Sequence, residues 1–256
     1  MRMRLAIAGI ICFIFTMTSC STELTSEENQ ITISAAASLK EVLDQVSADF
    51  TAKHPEIEIL FNFGGSGSLQ QQIIQGAPVD MFISAAESKF NELVDDNLIN
   101  SHVQLLGNEL VLVVSESHYN EHVTLENLLQ DQFKRISIGT PESVPAGLYA
   151  KQALKGLNLW DQLESKIIQA KDVRQVLTYV ETDNVDAGVV YKTDALQSQK
   201  VKMAATFDSS LHAPIIYPAG IVSSTKQPDE TSLFLKFLES PEARETFEKY
   251  GFTVLD

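Results

Sequence analysis

Past residue 20 the chain has no cysteine; Cys12 and Cys20 are its only two. The body therefore has no disulfide to form, no thiol nucleophile and no thiolate metal site, and an oxidising compartment imposes no constraint on it. Positive charge is also scarce. Lys and Arg number 19 against 34 Asp and Glu, a net charge of −15 at pH 7. Such a surface repels nucleic acid and anionic headgroups, and it slows a small anion unless local positive potential offsets it. The apolar run at residues 5–17 is too short for a comfortable membrane span. What remains is 256 residues, 44% hydrophobic and 21% charged: globular composition, long enough for one large domain or two small lobes.

The start, "MRMRLAIAGIICFIFTMTSC", has an export layout. Arg2 and Arg4 form a basic n-region, an apolar core follows, and a small-residue stretch ends at Cys20. "MTSC" resembles the lipobox of bacterial lipoproteins, with Met in place of the usual Leu. Cleavage before Cys20 would remove two arginines and no acid, taking the net charge from −15 to −17. The alternative is an ordinary secretory signal with an incidental cysteine.

Beyond a polar linker, strands and helices alternate. "ITISAAA", "EIEILFNF" and "VDMFISA" read as strands, the second with Ile57, Ile59, Phe61 and Phe63 in alternation. Leu39, Val42, Leu43, Val46 and Phe50 fall at helical spacing between the first two. A helix around Phe90 and Leu93 precedes the strand "ELVLVVS". The alternation then restarts with "RISIGT", "AGLYAKQALKGL", "VRQVLTYVE" and "VDAGVVY". Two α/β units in succession predict two lobes, each a doubly wound, mostly parallel sheet. "APIIYPAGIVS" reads as a proline-interrupted strand, and "ETSLFLKFLESPEARETFEKYG" as a helix returning to the first lobe.

Several strand ends lead directly into helices. Ser38 ends "ISAAAS"; Ser66 and Ser68 lie in "FGGSGSL"; Ala146 follows "GTPESVP"; Val173 follows "AKD"; Tyr191 ends "GVVY". Ligands of open α/β sheets bind at the carboxyl ends of strands, where helix starts present free N–H groups and the positive end of the dipole. The glycine-serine loop resembles a phosphate cradle, yet it carries no Lys or Arg. The pattern suits an anion met by neutral donors. Each residue also has a plain structural explanation: Ser38 and Asp172 as helix caps, Pro145 as a first-turn proline, "GGSGS" as a flexible turn, Tyr191 as a core tyrosine.

Enzyme patterns are incomplete. A nucleophile elbow needs G-x-S-x-G, and Gly64-Gly65-Ser66-Gly67-Ser68 lacks the last glycine. A triad through Ser66 would need His212, which nothing marks. His118 and His122 have no evident third metal ligand.

Taken together, "AAASL", "GAPVDMFISA", "LLGNELVLVV", "PESVPAGLYAKQAL", "DVRQVLTYVE", "GVVYKTDA" and "KYGF" resemble the molybdate-binding proteins of bacterial ABC importers, from Ile31 to Phe252. The resemblance implies a periplasmic-binding-protein fold of type II with a ligand cleft between the lobes. It divides the chain into a signal peptide (1–19), a lipidated N-terminus and linker (20–30), a first lobe (31–109 and 217–256) and a second lobe (110–216). It implies a non-enzymatic, monomeric capture protein, lipid-anchored to the outer face of the cell membrane through Cys20. Its expected ligand is molybdate or tungstate, its partners a permease and a cytoplasmic ATPase, and it needs no cofactor or protein-ligated metal. Carried over residue by residue, the donors are Ser38, Ser66, Ala146, Val173 and Tyr191. The loop reads "GGSGS" where the family has a run of serines, which leaves two readings: Ser66 as the loop donor, or Ser68 sharing or taking that role. The alternatives are a binder of sulfate or phosphate, an exported serine hydrolase using Ser66, and a ligand-sensing partner of a membrane receptor.

Overall fold

The computed structural model describes residues 29–119 and 123–255. The export segment, Cys20 and His122 lie outside the described residues. The chain runs β1 (Gln30–Ala36), α1 (Lys40–Lys53), β2 (Glu58–Gly64), α2 (Ser66–Ile74), β3 (Met81–Ile83), α3 (Glu87–Asp95) and β4 (Ile99–Gly107). There follow β5 (Leu110–Ser115), β6 (Ile136–Gly139), α4 (Pro145–Gly156), α5 (Trp160–Leu163), β7 (Ile167–Ala170), α6 (Val173–Glu181), β8 (Ala187–Tyr191), α7 (Lys192–Leu196) and β9 (Val201–Thr206). The last elements are β10 (Ile216–Val222), α8 (Pro228–Leu238), α9 (Pro241–Lys249) and β11 (Thr253–Val254).

These strands form two sheets, one per lobe, in the orders β11-β4-β10-β3-β1-β2 and β7-β6-β8-β5-β9. The chain passes from the first sheet to the second between Gly107 and Leu110, and returns between Thr206 and Ile216. The two-lobed α/β expectation holds, but the sheets are mixed rather than mostly parallel. Parallel pairing is confined to β2-β1-β3 and β7-β6-β8. β4, β10 and β11, like β5 and β9, pair antiparallel. A parallel neighbour requires a crossover helix. Strands that arrive from the other lobe have none.

Periodicity explains what each element buries. β5 is buried along its whole length, as befits a strand covered on both faces. β2, at a sheet edge, alternates exposed and half-buried residues. α1 turns Val42, Leu43, Val46 and Phe50 inward. Phe50 meets Phe234 and Phe237 of α8 at ring separations of 5.1 and 5.3 Å, which ties the C-terminal helices to the first lobe. The single helix expected there is two, α8 and α9. Pro241 cannot continue a helix from the preceding turn but suits a first helical position, and Ser240 caps α9 by accepting from Ala243 N. Pro218, expected to interrupt a strand, sits instead within β10 at a register shift, where no ladder donor is needed. β4, β7, β9 and β11 were not anticipated; they lack apolar runs, and two of them are only two and four residues long.

After α9 the chain reverses at Gly251, with φ of +90°. Gly251 N donates to Glu248 O and Phe252 N to Phe247 O, closing the helix end. Phe252 is thereby turned edge-on to Tyr217 at 5.7 Å. Any L side chain at Gly251 adopts a left-handed conformation costing about 1–2 kcal/mol, and its Cβ would stand 2.7 Å from Leu196 Cδ1. Gly251→Ala should therefore lower unfolding free energy by at least that amount in urea titration; wild-type stability would contradict this role.

Candidate functional site

Strand ends from both lobes converge on one small cavity. The first lobe contributes Ala36, Ala37 and Ser38 at the end of β1, Gly64, Gly65 and Ser66 at the end of β2, and Ala85 after β3. The second contributes Val144, Pro145 and Ala146 before and within α4, Val173 at the start of α6, and Tyr191 at the end of β8. The cavity is small, about 10 Å³, close to the least volume that admits a single water. Among the described residues, no charged side chain lines it.

Helix starts face the cavity from four directions. Ser66 is the first residue of α2 and Val173 the first of α6; Ala146 follows Pro145, the first of α4. Ser38 lies in a 3₁₀ turn, Ala37–Leu39, that runs into α1. First-turn N–H groups have no intrahelical acceptor, so each of these four residues offers a backbone donor. Pro145 occupies the first-turn position anticipated for it, and Asp172 caps α6 by accepting from Gln175 N at 2.8 Å. Ser38 is not a cap: its Oγ lies 3.1 Å from Tyr217 Oη instead.

The hydroxyls are oriented by what they accept. Ser66 is fully buried, and its Oγ accepts from Ala85 N at 2.9 Å; its own hydrogen is left for the cavity. Tyr191 is 1% exposed and its hydroxyl closes no hydrogen bond of ordinary geometry among the described residues. Burial, with the Tyr217 phenol beside it, pushes its pKa well up, so the hydroxyl stays protonated. Ser68 differs. It is exposed and absent from the lining, because one step along α2 from Gly67 rotates it to the outer face. The loop therefore brings one serine to the cavity, not two.

The glycines of "GGSGS" answer a steric demand, not a need for flexibility. A Cβ on Gly65 would stand 2.9 Å from Ser143 O, and one on Gly67 2.8 Å from Ser143 Cα. Ser143 belongs to the other lobe, and Gly67 N donates to its carbonyl at 2.9 Å. Two further links cross the seam: Tyr149 Oη donates to Ala85 O at 3.3 Å, and Arg174 pairs with Glu41.

Behind Tyr191, Asp194 is 1% exposed. Its Oδ2 accepts from Tyr191 N at 3.3 Å, and its Oδ1 has no partner among the described residues. Burial pushes this carboxyl up to about 7, with Glu41 and Asp172 adding to the rise; the Arg174 guanidinium and the Tyr191 N–H oppose it.

Hydrolase geometry is not assembled. No hydrogen bond joins Ser66 to His212 among the described residues; His212 Nδ1 faces Ala213 O at 2.8 Å, and its ring lies 5.7 Å from Tyr149. His118 sits instead among Ser115, Ser117 and Asp186. No group of three potential metal ligands occurs among the described residues. Sequence reasoning missed Asn108, Tyr149, Asp194 and Tyr217. Their only signals were a polar residue after Gly107 and tyrosines in otherwise apolar elements.

A small cavity between two α/β lobes, lined by strand ends from both sides, is the arrangement of a solute-binding protein. The comparisons agree: residues 31–253 match the bacterial extracellular solute-binding protein family, and the chain belongs to it. A Bacillus subtilis (strain 168) protein named as an ABC transporter substrate-binding lipoprotein, YvgL, is 47% identical over 253 residues, covering 96% of each chain. The molybdate-binding protein ModA of Haemophilus influenzae is 38% identical over 88% of this chain and 90% of its own. A solved structure described as the substrate binding domain of a molybdenum ABC transporter from Clostridium difficile superposes with a TM-score of 0.68 at 38% identity, covering 89% of this chain and 99% of that one.

The buried Asp194 generates a pH dependence. Its folded pKa lies above its unfolded value of 3.8, so its contribution to stability is complete below about pH 4 and is lost as pH rises through about 7. The slope in that window approaches about 1.4 kcal/mol per pH unit. Asp194→Asn should be markedly more stable than wild type at pH 8 and nearly equal at pH 4, by thermal unfolding. A constant difference between the two proteins across that range would contradict the assignment.

Proposed function

We propose that this protein is the extracytoplasmic substrate-binding component of an ABC importer and that it captures molybdate, and tungstate with it, in the interlobe cavity. The observation that carries the reading is a compact cavity without a charged lining residue, faced by first-turn N–H groups and three hydroxyls. Ser38, Ser66 and Tyr191 would donate through hydroxyls, and Ala146 and Val173 through backbone N–H. Donors fixed by helices set the radius of the guest they can reach simultaneously, whereas mobile Lys or Arg would hold any anion. Phosphate at neutral pH carries a proton and needs an acceptor; no carboxylate lines the cavity. Sulfate matches in charge and shape but is smaller, so the cage discriminates against it by size. The names of the relatives, two referring to molybdate or molybdenum, support the same ligand.

The rest of the reading follows the family's architecture. Closure of the lobes buries the oxyanion, and a permease driven by a cytoplasmic ATPase receives it. The protein acts as a monomer, without cofactor or catalysis, held at the outer face of the membrane by lipid on Cys20. Its acidic surface keeps it off nucleic acid and anionic headgroups.

Thermal shift and calorimetry against molybdate, tungstate, sulfate and phosphate test the ligand. Molybdate and tungstate should each add about 2.7 kcal/mol of stability at a hundredfold excess over the dissociation constant, and sulfate much less. Tyr191→Phe, which removes only a hydroxyl, should weaken molybdate binding by about 1–3 kcal/mol, ten- to a hundredfold. Equal stabilisation by sulfate would refute size selection, and wild-type affinity in Tyr191→Phe would remove that hydroxyl from the site. For the anchor, Cys20→Ala should abolish lipid labelling and release the protein from membranes; unchanged membrane association would exclude lipidation there.

A further inference from the structure

Ser66 and Ser38 both face the cavity, but their hydroxyls are not oriented by equivalent means. Ser66 Oγ accepts from a backbone N–H, that of Ala85, and a backbone N–H cannot do anything but donate. Ser38 Oγ faces a phenol, Tyr217 Oη, at 3.1 Å, and either group could be the donor. If Ser38 gave its hydrogen to Tyr217, only lone pairs would face the cavity and an anion would be repelled there. The direction of that one hydrogen bond decides whether Ser38 can hold an oxyanion.

Asn108 decides it. Its Oδ1 lies 2.9 Å from Glu109 N, which can only donate, so the oxygen end of the amide is fixed. The Nδ2 end therefore faces the opposite way and donates twice, to Thr193 Oγ1 at 2.9 Å and to Tyr217 Oη at 3.1 Å. Nδ2 cannot accept. Tyr217 is fully buried, and burial, with Asp194 nearby, pushes its pKa well up, so it keeps its proton. The Tyr191 hydroxyl also stands beside Tyr217 but closes no hydrogen bond of ordinary geometry among the described residues, whereas Ser38 Oγ, at 3.1 Å, can accept that proton. The chain then runs one way: Glu109 N–H to Asn108, Asn108 to Tyr217, Tyr217 to Ser38, and Ser38 into the cavity.

We propose that Asn108 is a positioning residue for anion capture, setting the direction of the Asn108–Tyr217–Ser38 chain so that the Ser38 hydroxyl presents its hydrogen to the ligand. The inference rests on the oxyanion reading above. Asn108 also stands where the chain passes from β4 to β5, and it bonds Tyr217 of β10 and Thr193 of α7 at once. The ligand's donor set is thus completed by a residue at the crossing between lobes.

Asn108→Asp reverses the chain with little change of shape. The carboxylate accepts from Glu109 N, Thr193 and Tyr217; Tyr217 then turns its hydrogen to Asp, Ser38 turns its own to Tyr217, and the cavity loses a donor. The added charge by itself also opposes an anion, so the test is a double-mutant cycle. Wild type, Asn108→Asp, Tyr217→Phe and the double variant are titrated calorimetrically with molybdate, tungstate, sulfate and phosphate, with thermal unfolding of each as the fold control. Tyr217→Phe removes the middle of the chain, so Ser38 is free to donate whatever stands at 108. Asn108→Asp should weaken binding at least tenfold more in the wild-type background than in the Tyr217→Phe background, where the same charge is present. A ratio within twofold would overturn the relay and leave only a charge or folding effect. The comparison is read with whichever anion wild type holds, so the failure of molybdate alone refutes the ligand and not the relay. A wild type that binds none of the four overturns both.

Discussion

A small dianion taken out of water must have its lone pairs met by donors, since its uncompensated burial would cost many kcal/mol. On the proposed reading, this protein meets that constraint without cations. Its donors are the leftover N–H groups of helix starts, and these exist at the cavity because the parallel strands of each sheet end there. The rest of the architecture serves that convergence. Gly65 and Gly67 have no side chains because Ser143 of the opposite lobe lies against them. Pro145 begins α4 where an N–H would have been surplus.

The hydroxyls follow the same logic one bond further out. Ser66 receives a backbone hydrogen and Ser38 sits at the end of a chain begun by another, so in this account each has its own hydrogen to give. The Tyr191 hydroxyl closes no hydrogen bond of ordinary geometry among the described residues. Asp194, directly behind Tyr191, would repel an anion if ionised. Burial holds its pKa near 7, against the pull of Arg174, and so weakens that opposition as the medium becomes more acidic. The cost is stability, which declines as the pH rises toward that value.

Much of this was legible in the sequence. Two rounds of α/β alternation gave the lobes, and α6 begins and ends where "VRQVLTYVE" does. All five residues carried over as donors line one cavity, because each stands at a strand-to-helix junction and such junctions gather at one edge of a sheet. Legibility failed where long-range geometry takes over. Strand direction depends on which lobe the chain arrives from, which no local pattern records, and so the antiparallel halves of both sheets were not foreseen. Ser66 and Ser68 are chemically alike in sequence; only the start of α2 at Ser66 turns one inward and the other out. Asn108 and Tyr217 are 109 positions apart, and a polarity set by their contact cannot be read from either residue alone.

On the proposed reading, neutral, helix-fixed donors hold the anion unaided. A crystal structure of the protein grown with molybdate tests it most directly. The oxyanion oxygens should lie within about 2.7–3.2 Å of the Ser38, Ser66 and Tyr191 hydroxyls and of the Ala146 and Val173 backbone nitrogens, with no Lys or Arg side chain in hydrogen-bond reach. A lysine or arginine turned into the cavity to bond the anion, or an anion seated elsewhere, would contradict it.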